Sequence, residues 1–222
     1  AGWGKLDELR SAVAALAGTS KPVCAFLRSP SGRQYYLATA AQKIYMPPED
    51  LLDLKGLRVE LMFFRGTLDK LGVKVEIEHA GKYKDYGDIF TRTSMSPETR
   101  EVLNSVLDEI YAQLLGAIAG GRKKSVAEAR AVVDRGPFLA RQALEEGLID
   151  GLLYEDQVID ELKKSEPRLK QVSIRNYIRA TVAARKRGRT RLALVVGEGT
   201  ILGSEGVGLD GGLAAPEFIK LL

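Results

Sequence analysis

Lys84 closes the tetrapeptide Gly81-Lys82-Tyr83-Lys84, inside residues 73–90, VKVEIEHAGKYKDYGDIF. A lysine amine accepts a proton only when neutral, and its reference pKa of about 10.4 keeps it charged at neutral pH. Burial against apolar surface, or a nearby cation, lowers that value by several units. The neutral amine can then take the proton from a serine hydroxyl. The residues before Lys84 would position it. Val73, Val75 and Ile77 alternate with Lys74, Glu76 and Glu78, a pattern that predicts a half-buried strand. Gly81 then breaks the strand, so Lys84 is expected on a loop between that strand and a long helix. Lys82 is a like charge that would favour a neutral amine, and Asp85 would oppose it if both faced one side. On the residues alone, a solvated loop lysine stays open beside a catalytic base.

A base needs a nucleophile, and the chain offers few. Its single histidine, His79, would have to serve any Ser-His-Asp triad, and one histidine excludes a multi-histidine metal site. The end of the strand is the plainer place for it. The single cysteine, Cys24, lies in the apolar run of residues 22–27; it cannot form an internal disulfide and reads as a small buried hydrophobe. Ser29 and Ser31 sit in a turn-rich loop, RSPSGR, before Gln34-Tyr35-Tyr36-Leu37. No nucleotide-binding glycine motif occurs in a strand–helix context, and no cofactor is expected.

Several elements must hold these residues. Residues 4–16 carry Leu6, Leu9, Val13 and Leu16 on one helical stripe. Residues 21–27 predict a strand, 34–41 a compact helical segment and 43–46 a second strand, stopped by Pro47-Pro48. A further strand is expected over 57–62 and a helix over 65–71, with Gly72 at its end. Ser96, Pro97 and Glu98 mark a helix start, and the apolar stripe from Val102 to Ile118 runs to an expected stop at Gly120-Gly121. Ser125 and Glu128 form a capping box for the next helix. A third helix is predicted over 137–146, a short strand over 148–150 and a last helix over 156–164. The rhythm of strands and helices with short connections predicts parallel βα units.

The 222 residues are 45% hydrophobic and 28% charged, which suits a globular core. No run approaches the roughly 18–20 apolar residues that span a bilayer. The chain opens on AGWGK without Met, and an excised or processed piece is expected. The net charge of +4 sits in one place: residues 168–191 hold nine basic residues and no acidic one, leaving 24 basic against 29 acidic elsewhere. A helix is expected over 174–184 and a fresh strand over 191–196, with the glycines of 203–212 as a flexible loop. This basic segment reads first as an interdomain linker; anionic lipid is a second reading. Nucleic acid is the least favoured, since Tyr177 is the only aromatic among the charges.

Four motifs, in order, resemble the signal peptide peptidase A family (protease IV): KPV-x(10)-QYYLA within residues 21–48, the G-x-Y-K loop at 81–84, MSPETRE at 95–101, and A-x-E-x-G-L-I-D over 143–150. The resemblance implies an α/β, ClpP/crotonase-like fold of stacked ββα units and a Ser/Lys dyad. In the long form of the family two such domains lie in tandem, the first giving the lysine and the second the serine. Carried over, the lysine is Lys84, and the serine lies beyond Leu222. Residues 1–164 would then be the lysine-donating domain, 165–190 the linker and 191–222 the start of the serine-donating domain. Taken alone, the chain is expected to be inactive. The family's S-G-G-Y serine falls on Gly32, and Ser31 is one position off, so a local Ser31–Lys84 dyad is the weaker reading. The glycines of Ala1-Gly2-Trp3-Gly4 stand where the fold offers oxyanion N–H groups, a role expected to be vestigial here.

The resemblance also implies signal peptides and other short hydrophobic peptides as substrates, a homotetramer, and membrane association with no nucleic-acid partner. The protein would be anchored in a bacterial envelope, with its catalytic domain outside the cytoplasm. A crotonase-like acyl-CoA enzyme and a non-catalytic oligomerisation domain are the alternatives; no paired carboxylates favour the first.

Overall fold

In the computed structural model, residues 2–78, 80–184, 200–202, 212–214 and 219 are described. The chain falls into two units, Ala1–Leu169 and Lys170–Leu222. The first begins with α1 (Trp3–Ala17), β1 (Cys24–Phe26), α2 (Gly32–Ala38) and β2 (Lys43–Met46). Then come β3 (Leu51–Leu52), α3 (Arg65–Lys70), α4 (Asp88–Thr91), α5 (Pro97–Arg122) and α6 (Val126–Arg135). It ends with β4 (Phe138–Leu139), α7 (Ala140–Glu145), β5 (Gly151–Leu152) and α8 (Glu155–Ser165).

β1, β2 and β5 form a parallel sheet in that order, with Ala25 opposite Ile44 and Tyr45 opposite Gly151. Parallel neighbours need a crossover, and α2 supplies it between β1 and β2. Strand alternation sends Ile44 and Met46 into the core while Lys43 stays in solvent. Tyr35 and Tyr36 of α2, Leu114, Leu115 and Ile118 of α5, Val132 and Val133 of α6, and Leu148 and Ile149 before β5 complete the core. This is the expected α/β fold.

The caps form where the sequence places them. The Ser96 hydroxyl accepts from Thr99 N–H at 3.0 Å, and Pro97 opens α5. Ser125 and Glu128 bond reciprocally at the start of α6. Gly72, at φ +70°, turns the chain after α3.

In the first unit five expectations are corrected. Residues 73–78 form no strand: Val73 and Ile77 are 46% and 42% exposed, and no described segment pairs with them. Alternation describes a one-sided surface, but a strand also needs a ladder partner. Residues 57–62 are irregular for the same reason. The strand expected over 148–150 lies at Gly151–Leu152, because Leu148 and Ile149 are core residues leading into it. The helix expected from Pro137 starts at Ala140, since Phe138 and Leu139 pair antiparallel with Leu52 and Leu51. Gly120-Gly121 does not stop α5, which continues to Arg122 and ends on Lys123 in the left-handed region at φ 54°.

In the second unit, α9 (Ile174–Ala184) forms over the expected residues. β6 (Thr200–Leu202) and β7 (Gly212–Ala214) pair in parallel, so Gly212 opens a strand and is not part of a loop. The strand expected over 191–196 and the glycines of 203–211 lie outside the described residues.

Candidate active site

Lys84 stands in a turn segment between α3 and α4. Gly81 takes φ +92°, a left-handed conformation that favours glycine, and accepts from Lys84 N–H at 3.2 Å. The segment is bracketed on both sides. Phe64 N–H donates to Ile89 O at 2.7 Å, Arg65 Nη1 to Thr91 O at 2.9 Å, and the Phe64 and Phe90 rings stack at 6.0 Å. Gly87 lies so close to Ile77 that a Cβ there would stand 2.6 Å from its Cγ2. Hence residues 77 and 87 meet across the turn even though no strand precedes it.

The side chains around Lys84 separate by partner. The Lys82 ammonium lies 4.6 Å from the centre of the Tyr83 ring, and its hydrogen bond to Tyr83 holds it above its ordinary pKa. Lys82 is thus engaged by its neighbour. Asp85 is half-buried and faces α5, where its Oδ2 accepts from Thr99 Oγ1 at 2.6 Å. Lys84 itself is exposed, and its amine has no hydrogen-bond or ion-pair partner among the described residues. None of the described residues covers the Lys84 amine. His79 is not among them.

Ser31 is held elsewhere. It caps α2, and its hydroxyl and N–H both donate to Gln34 Oε1, at 3.0 and 2.8 Å. Ser29 sits at φ 41° with its N–H donating to Asp50 Oδ2 at 2.8 Å. No hydrogen bond joins either serine to Lys84. Gly32, where the resemblance would place a serine, begins α2 with room for a side chain: a Cβ would be 3.9 Å from its nearest neighbours. Gly2, the N-cap of α1, has no side-chain cap, and Trp3 is tied to the body through Nε1–H donating to Gln113 at 2.8 Å. Cys24 is half-buried, and burial pushes its thiol upward.

The strongest polar network was only partly legible. Asp150 Oδ2 accepts from Ile44 N–H at 2.8 Å and from Arg122 Nη1 at 2.9 Å, while Arg122 Nε donates to Gly147 O at 2.8 Å. Burial works to raise the Asp150 carboxyl, but the hydrogen bonds from Arg122 and Ile44 and the charges of Arg122 and Lys43 outweigh it and hold the group low. The A-x-E-x-G-L-I-D motif contains Asp150; nothing in the sequence pointed to Arg122. Among the described residues, no group of His, Cys, Asp and Glu is arranged to hold a metal.

Residues 15–170 match the profile of peptidase family S49. The chain belongs to that family. It is 28% identical over 207 residues to the chloroplastic serine protease SPPA of Arabidopsis thaliana, covering 90% of this chain and 31% of that protein. It is 30% identical over 201 residues to Protease 4 of Salmonella typhi, covering 84% and 32%. The S49 chain therefore spans about a third of the length of these relatives. A solved peptidase from Plasmodium falciparum is similar at TM-score 0.40 and 14% identity, over 69% of this chain and 67% of that one. In the S49 alignment range fall both Lys84 and the Arg122–Asp150 network.

Proposed function

We propose that this chain is the lysine-donating part of a serine endopeptidase of the signal peptide peptidase type. Lys84 takes the proton from a serine hydroxyl as that oxygen attacks the peptide carbonyl, and then delivers it to the leaving amine. Water, deprotonated in the same way, releases the acyl group, and backbone N–H groups hold the oxyanion. The serine comes from the second domain, beyond Leu222. The observation that carries the reading is Lys84 itself: an amine on the G-x-Y-K loop, unpaired among the described residues, with the neighbouring carboxylate bound elsewhere. The relative named a serine protease supports the same chemistry.

The substrates are cleaved signal peptides and other short hydrophobic peptides, and the assembly is a homotetramer. Support for assembly comes from apolar exposure in the same chain segment as the lysine: Met62, Leu71 and Tyr86 are 75%, 70% and 87% exposed. Such exposure suits a surface that another copy covers, and a copy that also covered Lys84 would desolvate it. Among the described residues no helix is long and apolar enough to cross a membrane; envelope anchoring, with the catalytic domain outside the cytoplasm, rests on the family.

The test uses the full-length protein on a fluorogenic hydrophobic peptide. Lys84→Ala should lower kcat/KM by at least about 10³-fold with folding intact. Lys84→Arg should fail equally, because a guanidinium does not give up its proton. A fluorophosphonate should label a serine C-terminal to Leu222, with labelling much reduced in Lys84→Ala. Turnover retained in Lys84→Ala would overturn the reading.

A further inference from the structure

Resting on the reading of Lys84 as the base, we infer that Asp85 and Thr99 form a positioning latch that holds the lysine loop against the first turn of α5. A carboxylate only accepts, so the single Thr99 hydroxyl proton lies on the bond to Asp85 Oδ2, at 2.6 Å. The Ser96 hydroxyl, 2.7 Å from Thr99 Oγ1, must then donate to it. Thr99 N–H donates back to Ser96 Oγ at 3.0 Å. The order of donors is therefore fixed from the helix cap outward to the residue next to Lys84.

Two further observations make this a latch. Ser96, the N-cap of α5, and Thr99 in its first turn are buried, each 7% exposed, so the α5 side of the bond is shielded from competing water. Among the described residues of 80–86, Asp85 alone carries a side-chain hydrogen bond to another element. The Lys82 ammonium lies over the ring of the adjacent Tyr83, while Tyr83 and Tyr86 are exposed. Because consecutive residues share one peptide plane, fixing Asp85 fixes the Lys84 carbonyl and restricts where its side chain can start. Asp85 acts through Lys84 and does not touch the reacting atoms. Displacement of a catalytic group by about 1 Å is enough to cost about 100-fold in rate.

The experiment measures kcat and KM separately for the full-length protein with Asp85→Ala, Thr99→Val, Asp85→Asn and Thr99→Ser. Asp85→Ala and Thr99→Val remove the latch and should lower kcat by about 10–100-fold with KM within about 2-fold. Thr99→Val leaves the Thr99 N–H bond to Ser96 in place, so α5 stays capped. Asp85→Asn keeps an acceptor and Thr99→Ser keeps the donor; both should restore kcat to within about 3-fold of wild type. Trypsin should nick Lys84 faster in the two latchless variants at unchanged global melting. If Asp85→Asn fails as badly as Asp85→Ala, charge and not position is what matters, and the inference falls. It also falls if Lys84→Ala is inactive while Asp85→Ala and Thr99→Val keep wild-type kcat. Activity surviving in Lys84→Ala would instead sink the underlying reading, and that outcome appears in the lysine variant alone.

Discussion

Asp150 satisfies a backbone N–H and a guanidinium at once, and charge-assisted bonds of this kind are the strong ones. Its side chain is 18% and that of Arg122 9% exposed, so removing one partner leaves the other poorly hydrated. Arg122→Ala should cost about 3 kcal/mol, the lower end for a broken buried pair. The pH dependence follows from the depressed carboxyl. A lowered folded-state pKa adds stability above the unfolded value of about 3.9, and that stability is lost as pH falls through the folded value. Asp150→Asn should therefore be clearly less stable than wild type at pH 7, and the gap should shrink toward pH 3. Urea titrations at both pH values check it; a gap that stays constant would remove the carboxylate from the account. At this scale the loop position of Lys84 was legible, because Gly81 marks the turn that holds it. The bond between Asp85 and Thr99 spans 14 residues and two elements, and no local pattern encodes it.

Elements were legible where their signals are local. Ser96 and Ser125 cap their helices, and residues 43–46 form β2. Signals that depend on a distant partner misled. Two-residue β3 and β4 exist only because each meets the other, whereas residues 73–78 have an excellent pattern and no described partner. Gly121 is the sharpest case. A glycine pair normally ends a helix, yet α5 runs through it because a Cβ at Gly121 would overlap the Thr39 carbonyl at the end of α2. The glycine is there for close approach. Gly121→Ala should raise local helix propensity and still destabilise the protein by about 1–3 kcal/mol through overpacking, whereas Gly120→Ala, beside it, would place its Cβ in open space and should be neutral or stabilising. Thermal melts of the two variants separate close packing from propensity.

At the scale of the molecule, burial is divided unevenly. The first unit packs α1, α2, α5, α6 and α7 with the parallel sheet around one core, and the parallel βα organisation could be read from the rhythm of strands and helices with short connections. Between Leu54, fully buried, and Ser96, none of the described residues of 55–95 is buried. The Lys84 segment is thus an arm fixed at both ends to a core it does not enter. Stability in such a molecule comes in two tiers, because segments with few buried contacts open at lower free energy than the core. Amide exchange in residues 57–78 should be fast and only weakly affected by Arg122→Ala, while the amides of α2 and β2 should lose protection with the core. The same division has a consequence for heat. When the full-length protein warms, the arm should loosen well before the sheet melts, so a peptidase that uses Lys84 as its base would lose activity at a temperature where the circular dichroism spectrum is still native, and it would recover on cooling.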